Sequence, residues 1–442
     1  MRIGLVAMSG IRACDAELLR LGLTLPGFVE RSKTIASLPS LGLLTLAGMI
    51  PARHATEYLE VPDLRARTGP LPEFDLVAIS SYSAQIDEAY ELARRYREAG
   101  ALVVLGGPHV TALPDEAGLH ADAVAVGEGE AVWPEILEDA ERGRLRPRYG
   151  DRDSAFDLAD SPVPAYEMLD VSKYNRLTVQ TSRGCPHRCE FCAGSVLLTS
   201  RYKQKPIANV LREIDRILSV WKRPFLEFAD DNSFVDRAYW KELLARLEGR
   251  GLRWFAETDV SVAEDPDLLD RMRDTGCAQV LIGFESPVGE ALAGIETRSD
   301  WKRRMFPRYR EAVRAIQSRG ITVNGCFVIG LDGHGPEIAD QVLAFVRETE
   351  LYEVQVTILT PFPGTPLHAR LEAEGRLLEP GDWRRCTLFD VNFRPAGMSA
   401  ETLRDLFRRL AVELYGEEFT RWRRGRFHRR LREDRLRKGE GT

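Results

Sequence analysis

Residues 183–193 read RGCPHRCEFCA, and the reading of this stretch decides the rest of the chain. Cys185, Cys189 and Cys192 stand at C-x3-C-x2-C. Thiols this close in sequence can converge on one soft metal centre. A cubane iron–sulfur cluster normally takes four protein thiolates, so three leave one iron open to a small molecule. The stretch follows an apolar run, Leu177–Thr181, which puts the cysteines in a loop leaving a strand; Gly184 and Pro186 suit such a loop. Two other readings are a zinc site, with His187 as the fourth ligand, and three buried thiols. Structural zinc usually takes paired C-x2-C knuckles, a pattern missing here, and chance buried thiols do not bunch in a Gly/Pro loop.

The spacing, together with the aromatic Phe191 just before the third cysteine, resembles the cluster motif of the radical S-adenosylmethionine (SAM) enzymes. The resemblance implies that Cys185, Cys189 and Cys192 hold a [4Fe–4S] cluster whose fourth iron is chelated by SAM.

The chain has 442 residues, enough for two or three domains. A net charge of −6 gives no global attraction to nucleic acid. Beyond the trio, Cys14, Cys277, Cys326 and Cys386 are scattered, which argues against a disulfide framework and for a reducing cytoplasm. MRIGLVAMSG reads as a first strand, not a signal peptide. The run Leu41–Ile50 is too short to span a bilayer.

From residue 1 to 141 strands and helices alternate. Expected strands are Arg2–Met8, Glu57–Val61, Leu76–Ser80, Leu102–Leu105 and a run around Val124 and Val126; helices are Leu41–Pro51, Ile86–Gly100 and Glu130–Arg142. This predicts an α/β fold with a doubly wound parallel sheet, whose ligands bind beyond the carboxyl ends of the strands. Ser80, Ser81 and Tyr82, Gly106 and Gly107, and Gly127, Glu128 and Gly129 fall at those ends. Glycines there let a bulky flat ligand approach the backbone.

The segments SLGLLTLAGMI (40–50), GGPHVTALPDEA (106–117) and VGEGEAVWPEIL (126–137) resemble the cobalamin-binding domain that precedes the radical SAM domain in a large enzyme class. That implies these eight strand-end residues hold cobalamin. Many cobalamin domains carry D-x-H-x-x-G after the first strand, with its histidine on cobalt; here SGIRACDAE (9–17) has none, as in the radical SAM members generally. His109 is either a group below the corrin or a loop residue. The other reading of 1–141 is a flavodoxin-like unit that binds nothing.

Residues 142–176, with Pro147, Pro162 and Pro164, read as a linker. Alternation resumes over 177–376, with strands at Leu177–Thr181, Leu226–Ala229, Trp254–Ala256, Gln279–Phe284, Thr322–Ile329 and Glu353–Leu359. Six β/α units predict a partial TIM-like barrel with its site at the carboxyl ends of the strands. Polar residues gather there: Asp230, Asp231 and Asn232; Glu257, Thr258 and Asp259; Glu285 and Ser286; Gly330 and Asp332. The resemblance implies that Phe191, Asp230, Glu257, Glu285, Ser286, Gly330 and Asp332 contact SAM. Asp236 and Asp265 read as helix caps, and Cys277 and Cys326 as buried small residues.

Residues 377–442 form a helical extension. Leu403, Leu406, Phe407, Leu410 and Leu414 keep helical spacing, and Arg421–Lys438 is strongly basic. That tail reads as a solvated helix or as a contact with anionic membrane surface or a partner.

Over nearly its whole length the chain thus resembles the cobalamin-dependent radical SAM enzymes. The resemblance implies methylation of an unactivated carbon through a 5′-deoxyadenosyl radical and methylcobalamin, on a small-molecule or lipid substrate, with an external flavodoxin- or ferredoxin-type electron donor. Two alternatives stay open: radical ring formation, rearrangement or oxidation without methyl transfer, and a non-catalytic cobalamin sensor. A methylthiotransferase is disfavoured, since that family carries three further N-terminal cysteines and only Cys14 precedes residue 142 here. The run TPFPGTPLHARLEAEGRL (360–377) resembles members acting on lipids such as hopanoids.

Overall fold

The computed structural model describes residues 1–24, 38–152, 155–194, 199 and 201–437. The first sheet takes its form from strands that are apolar on both faces. In β1 (Arg2–Met8), Val6 and Met8 enter one core with Val77 and Leu105, while Ile3, Leu5 and Ala7 enter a second with Val104 and Trp133. A strand buried on both sides needs helices on both sides, which parallel crossovers supply. β1 is joined by β2 (Ala55–Val61), β3 (Leu76–Ser80), β4 (Leu102–Gly106), β5 (Ala123–Ala125) and β6 (Arg148–Tyr149) in the parallel order β2-β1-β3-β4-β5-β6.

β6 lies inside 142–176, the stretch expected to be an irregular linker. It is anchored by single tyrosines, not by a repeating apolar face. Tyr149 is buried; its hydroxyl donates to Asp139 (2.9 Å) and accepts from the Arg146 N–H (2.9 Å). Tyr166 is also buried and donates to the Thr178 carbonyl at 2.7 Å. Isolated anchors leave no period to read in the sequence.

The second sheet begins with β7 (Leu177–Val179). An antiparallel ribbon, β8 (Ser182–Arg183) with β9 (Lys203–Gln204), then brackets the cysteine stretch. β10 (Phe225–Phe228), β11 (Arg253–Thr258), β12 (Cys277–Glu285), β13 (Thr322–Ile329) and β14 (Glu353–Ile358) follow, all parallel, in the order β14-β13-β12-β11-β10-β7. Among the described residues β7 and β14 do not pair, so the sheet stays an open barrel. Its outer layer is aromatic: Phe228 meets Trp240 and Trp254 edge-on at 5.1 and 5.3 Å. Leu18, Leu44 and Tyr166 enter this same core, so the two sheets are packed into one body. Asp236 and Asp265 cap their helices, accepting from Tyr239 and Leu268 N–H groups at 3.0 Å each. Cys277 is buried, whereas Cys326 is half-buried. No helix among the described residues is long and apolar enough to cross a membrane.

The C-terminal helices Ala400–Tyr415 and Glu417–Arg437 cover the β14 edge. Lys438, the end of the expected basic tail, lies outside the described residues. Four tail arginines are engaged internally. Arg426 and Arg430 pair with Glu350 (2.7 and 3.0 Å), and Arg424 pairs with Glu353 at 3.1 Å. Arg423 is fully buried and donates to the carbonyls of Tyr352 (2.9 Å) and Leu414 (3.0 Å). Replacing Arg423 with methionine strands those two carbonyls. A loss of about 3 kcal/mol is expected, at roughly 1–3 kcal/mol per stranded group. It should appear as faster proteolytic release of the tail; an unchanged cleavage rate would contradict the clamp.

Candidate active site

The carboxyl ends of the two sheets share a cavity of about 490 Å³. Ser80, Ser81, Tyr82, Gly106, Gly107, Gly127, Glu128 and Gly129 all line it, at the ends of β3, β4 and β5. Leu41, Leu43, Leu46 and Trp133 add an apolar wall, and Thr178, Gln180, Arg183 and Glu227 close it from the second sheet. Gly107 has φ +103°, and a Cβ there would stand 3.0 Å from both the Ser80 hydroxyl and the Ser81 carbonyl. A side chain would therefore be strained and would crowd the floor. Glu128 faces the cavity, but its carboxylate is held by Lys203 (2.6 and 2.8 Å) and the Phe156 N–H (2.8 Å).

Among the described lining residues there is no histidine. His109 is buried outside the cavity, with Nδ1 3.0 Å from the Ser83 hydroxyl, Nε2 3.2 Å from Glu116, and its ring edge-on to Trp383 at 5.5 Å. It joins the first sheet to the C-terminal segment.

The cysteine loop is held from several sides. The Gly184 N–H donates to Asp231 at 2.7 Å, Glu190 N–H to the Ile295 carbonyl at 2.8 Å, and Thr297 N–H to the Arg188 carbonyl at 2.9 Å. Glu296 gathers the facing turn by accepting from the N–H groups of Arg298 (3.0 Å) and Ser299 (2.8 Å). Cys189 is buried and Cys185 and Cys192 are half-buried. Burial pushes the Cys185 thiol up to about 11 and Cys189 further, while the Lys302 ammonium pulls both down. No three His, Cys, Asp or Glu side chains among the described residues are yet drawn tightly enough around one point to hold a metal ion. The three thiols share one loop, and as soft donors one short of four they suit an open-site cluster. His187 does not complete a zinc set: its Nε2 lies 3.3 Å from Asp259, and its ring stacks on Trp301 at 4.1 Å.

The polar ring of the second sheet divides. Glu257 stands near Glu227 and Asp231; burial and these two carboxylates push it up to about 7. Burial also raises Asp231. Glu285, at φ +61°, is paired with the buried Lys302 at 2.8 Å. Burial opposes the charge on Lys302, but Glu285 and Cys189 hold its pKa well above the ordinary range. Phe191 packs partly buried against the main core.

Asp230, expected at SAM, has its carboxylate taken up by hydrogen bonds within the protein. It accepts from Thr181 N–H (2.7 Å), Ser182 N–H (2.8 Å), the Thr181 hydroxyl (2.6 Å) and the Ser233 hydroxyl (3.0 Å). Four donors fill the four lone-pair sites of a carboxylate, so Asp230 fixes the backbone that leads into the cysteine loop. Ser286 is fully buried against His334 at 2.9 Å. Asp332 is tied at the surface to Arg370 (2.8 Å) and Arg376 (2.6 Å), and a Cβ on Gly330 would meet Leu403 at 2.9 Å. The turn after β13 thus packs on the C-terminal extension. Lys302, Glu227, Arg183 and Lys203 were missed by the sequence reading. Lys302 sits in RSDWKRRM (298–305), where it looks like one more solvated charge.

Comparison with known proteins places the chain in a family. Residues 179–348 match the radical SAM superfamily, 36–137 the B12 binding domain, and 365–441 a domain of unknown function. An uncharacterised methyltransferase of Synechocystis is 30% identical over 81% of this chain and 67% of its own. The bacteriochlorophyllide d C-12(1)-methyltransferase of Chlorobaculum tepidum is 28% identical, covering 82% of this chain and 81% of its own. The hopanoid C-2 methylase of Rhodopseudomonas palustris is 29% identical over 78% of this chain and 66% of its own. In fold, the radical SAM methyltransferase TsrM of Kitasatospora setae, solved with cobalamin and a [4Fe–4S] cluster, superposes with a TM-score of 0.63 at 16% identity, over 98% and 99% of the two chains. The chain belongs to the cobalamin-dependent radical SAM enzymes, with a [4Fe–4S] cluster, SAM and cobalamin as its cofactors.

Proposed function

We propose that the protein methylates an unactivated carbon of a lipid-like or tetrapyrrole-like small molecule. The observation that carries this reading is the shared cavity: one wall is the Gly-rich edge of the first sheet, and the other is the carboxyl end of β7 and β10, next to the cysteine loop. When bound, the cofactors supply a 5′-deoxyadenosyl radical and a transferable methyl group, and the protein's task is to hold them in register and exclude water.

Within that task, Cys185, Cys189 and Cys192 hold the cluster, and Glu257 and Glu285 face the polar groups of SAM. The eight strand-end residues of the first sheet cradle the corrin. Asp230, Asp231 and Glu296 fix the backbone of the cysteine loop and its facing turn. The bacteriochlorophyllide and hopanoid relatives support an apolar polycyclic substrate. Electrons come from an external flavodoxin- or ferredoxin-type donor. For the basic tail we propose a structural role, since four of its arginines are engaged with Glu350, Glu353 and backbone carbonyls.

The test is product analysis of the reconstituted protein under anaerobic turnover. Comparable amounts of 5′-deoxyadenosine and S-adenosylhomocysteine are expected, because one SAM makes the radical and a second replaces the methyl group. 5′-Deoxyadenosine without S-adenosylhomocysteine would mean radical chemistry without methyl transfer. Neither product would mean a non-catalytic cobalamin protein.

A further inference from the structure

The cysteine loop is fastened at both ends to a single segment beside the other sheet. Its two ends leave the antiparallel ribbon side by side, with Arg183 of β8 opposite Lys203 of β9. Both cations point to the short segment that follows β5, made of Gly127, Glu128 and the first two residues, Gly129 and Glu130, of the helix Gly129–Glu141. Arg183 donates to Glu130 at 2.7 and 3.4 Å and stands 3.5 Å from Glu128. Lys203 donates to both oxygens of Glu128 at 2.6 and 2.8 Å. Glu128 and Glu130 are 4% and 7% exposed, and the side chains of Arg183 and Lys203 16% and 17%, so these pairs are largely buried. The same segment lines the cavity through Gly127 and Gly129. It is itself fixed, since the Gly127 N–H donates to the Thr111 hydroxyl at 3.1 Å and Glu128 accepts from the Phe156 N–H at 2.8 Å.

One short segment therefore touches the corrin cavity with its backbone and holds the ends of the cluster loop with its side chains. A ligand seated against Gly127 and Gly129 restricts the segment, and through Glu128 and Glu130 it restricts the spacing of Arg183 and Lys203. Arg183 stands two residues before Cys185, so its place sets where the cysteine loop begins. We infer that Glu128 and Glu130 are positioning residues that couple the two cofactor sites, so that cluster loading tightens cobalamin binding and cobalamin tightens the cluster. Reciprocity of this kind is a thermodynamic requirement of any such coupling. Buried pairs suit the role because removing one partner leaves the other charge buried and uncompensated, which gives the linkage a steep energy.

The inference rests on the cobalamin reading, and the test separates the two. Hydroxocobalamin affinity of the full chain is measured by equilibrium dialysis, with the cluster reconstituted and with iron left out. The wild type should bind about 10-fold more tightly with the cluster present, within the range usual for coupled sites. Glu130→Gln and Lys203→Gln should each still bind hydroxocobalamin, but with a cluster-dependent ratio within about twofold of one. Two variants on opposite sides of the joint are used so that loss of folding in one leaves the other to decide. A wild-type ratio near one, or variants that keep the wild-type ratio, would overturn the coupling. A wild type that binds no hydroxocobalamin in either state would overturn the cobalamin reading and the coupling with it.

Discussion

A Cys189→Ser protein is expected to fold, to lack the brown colour and iron content of the wild type, and to make no detectable 5′-deoxyadenosine. Serine fits the space of the thiol, and the backbone at this position is fixed independently by its bridge to Glu296 and by the turn in which Cys192 N–H donates to the Cys189 carbonyl. Folding therefore does not depend on the sulfur. Cluster binding does, because only three thiols share the loop and a cluster held by two has lost a direct ligand. Changes one shell further out typically lower metal affinity or activity by about 10–100-fold, and loss of a ligand must exceed that. Glu296→Gln, which loosens the facing turn without touching a thiol, should fall inside that smaller range. Cys277→Ser is the control: this cysteine is buried on β12, outside the loop, and should keep both colour and SAM cleavage. A Cys189→Ser protein that still cleaves SAM would remove the trio from its proposed role.

What could be read in the sequence follows from how locally each feature is encoded. The cysteine loop is contiguous, and the doubly wound sheet is legible because its strands are apolar on both faces at regular intervals. The eight strand-end residues after β3, β4 and β5 line one cavity because strand ends of a parallel sheet all open on the same edge. Position alone does not say what a side chain meets. Asp230, Ser286 and Asp332 sit at strand ends like Glu257 and Glu285, but their partners are Thr181, His334 and Arg370, residues 38–49 positions away in the chain. Nothing near Asp332 announces that two arginines on and after the helix Pro366–Ala373 will turn it outward. The same distance hides the joint between sheets: VGEGE reads as a glycine-rich turn, and only the fold brings Arg183 and Lys203 to its glutamates. The internal partners of the tail are hidden by distance too. Its arginines give it the composition of a solvated or membrane-seeking helix, while the acidic partners Glu350 and Glu353 lie some 71–80 residues earlier.

The second large effect is expected at Lys302. Its ammonium bonds to the Gly283 carbonyl and to Glu285, both at 2.8 Å, with a side chain only 8% exposed against 11% for Glu285. Glu285 also sits in the left-handed region, at φ +61°, where the β12–β13 register shifts. A non-glycine residue there costs roughly 1–2 kcal/mol, so the carboxylate stays in place because the surrounding contacts hold it. Replacing Lys302 with methionine keeps the packing volume but leaves Glu285 buried without its counter-charge. Breaking a buried pair from one side costs about 3–5 kcal/mol, and a loss of that size should appear in urea unfolding. Adding Glu285→Gln removes the stranded charge, so the Lys302→Met/Glu285→Gln double variant should recover most of the stability. SAM affinity should behave differently. If Glu285 faces SAM, the double variant regains stability without regaining SAM binding, and stability and affinity part company between the single and double variants. A Lys302→Met protein as stable as wild type would show that the pair is not buried in solution. A double variant with wild-type SAM affinity would remove Glu285 from the SAM site and leave Glu257 as the carboxylate of the ring that meets the cofactor.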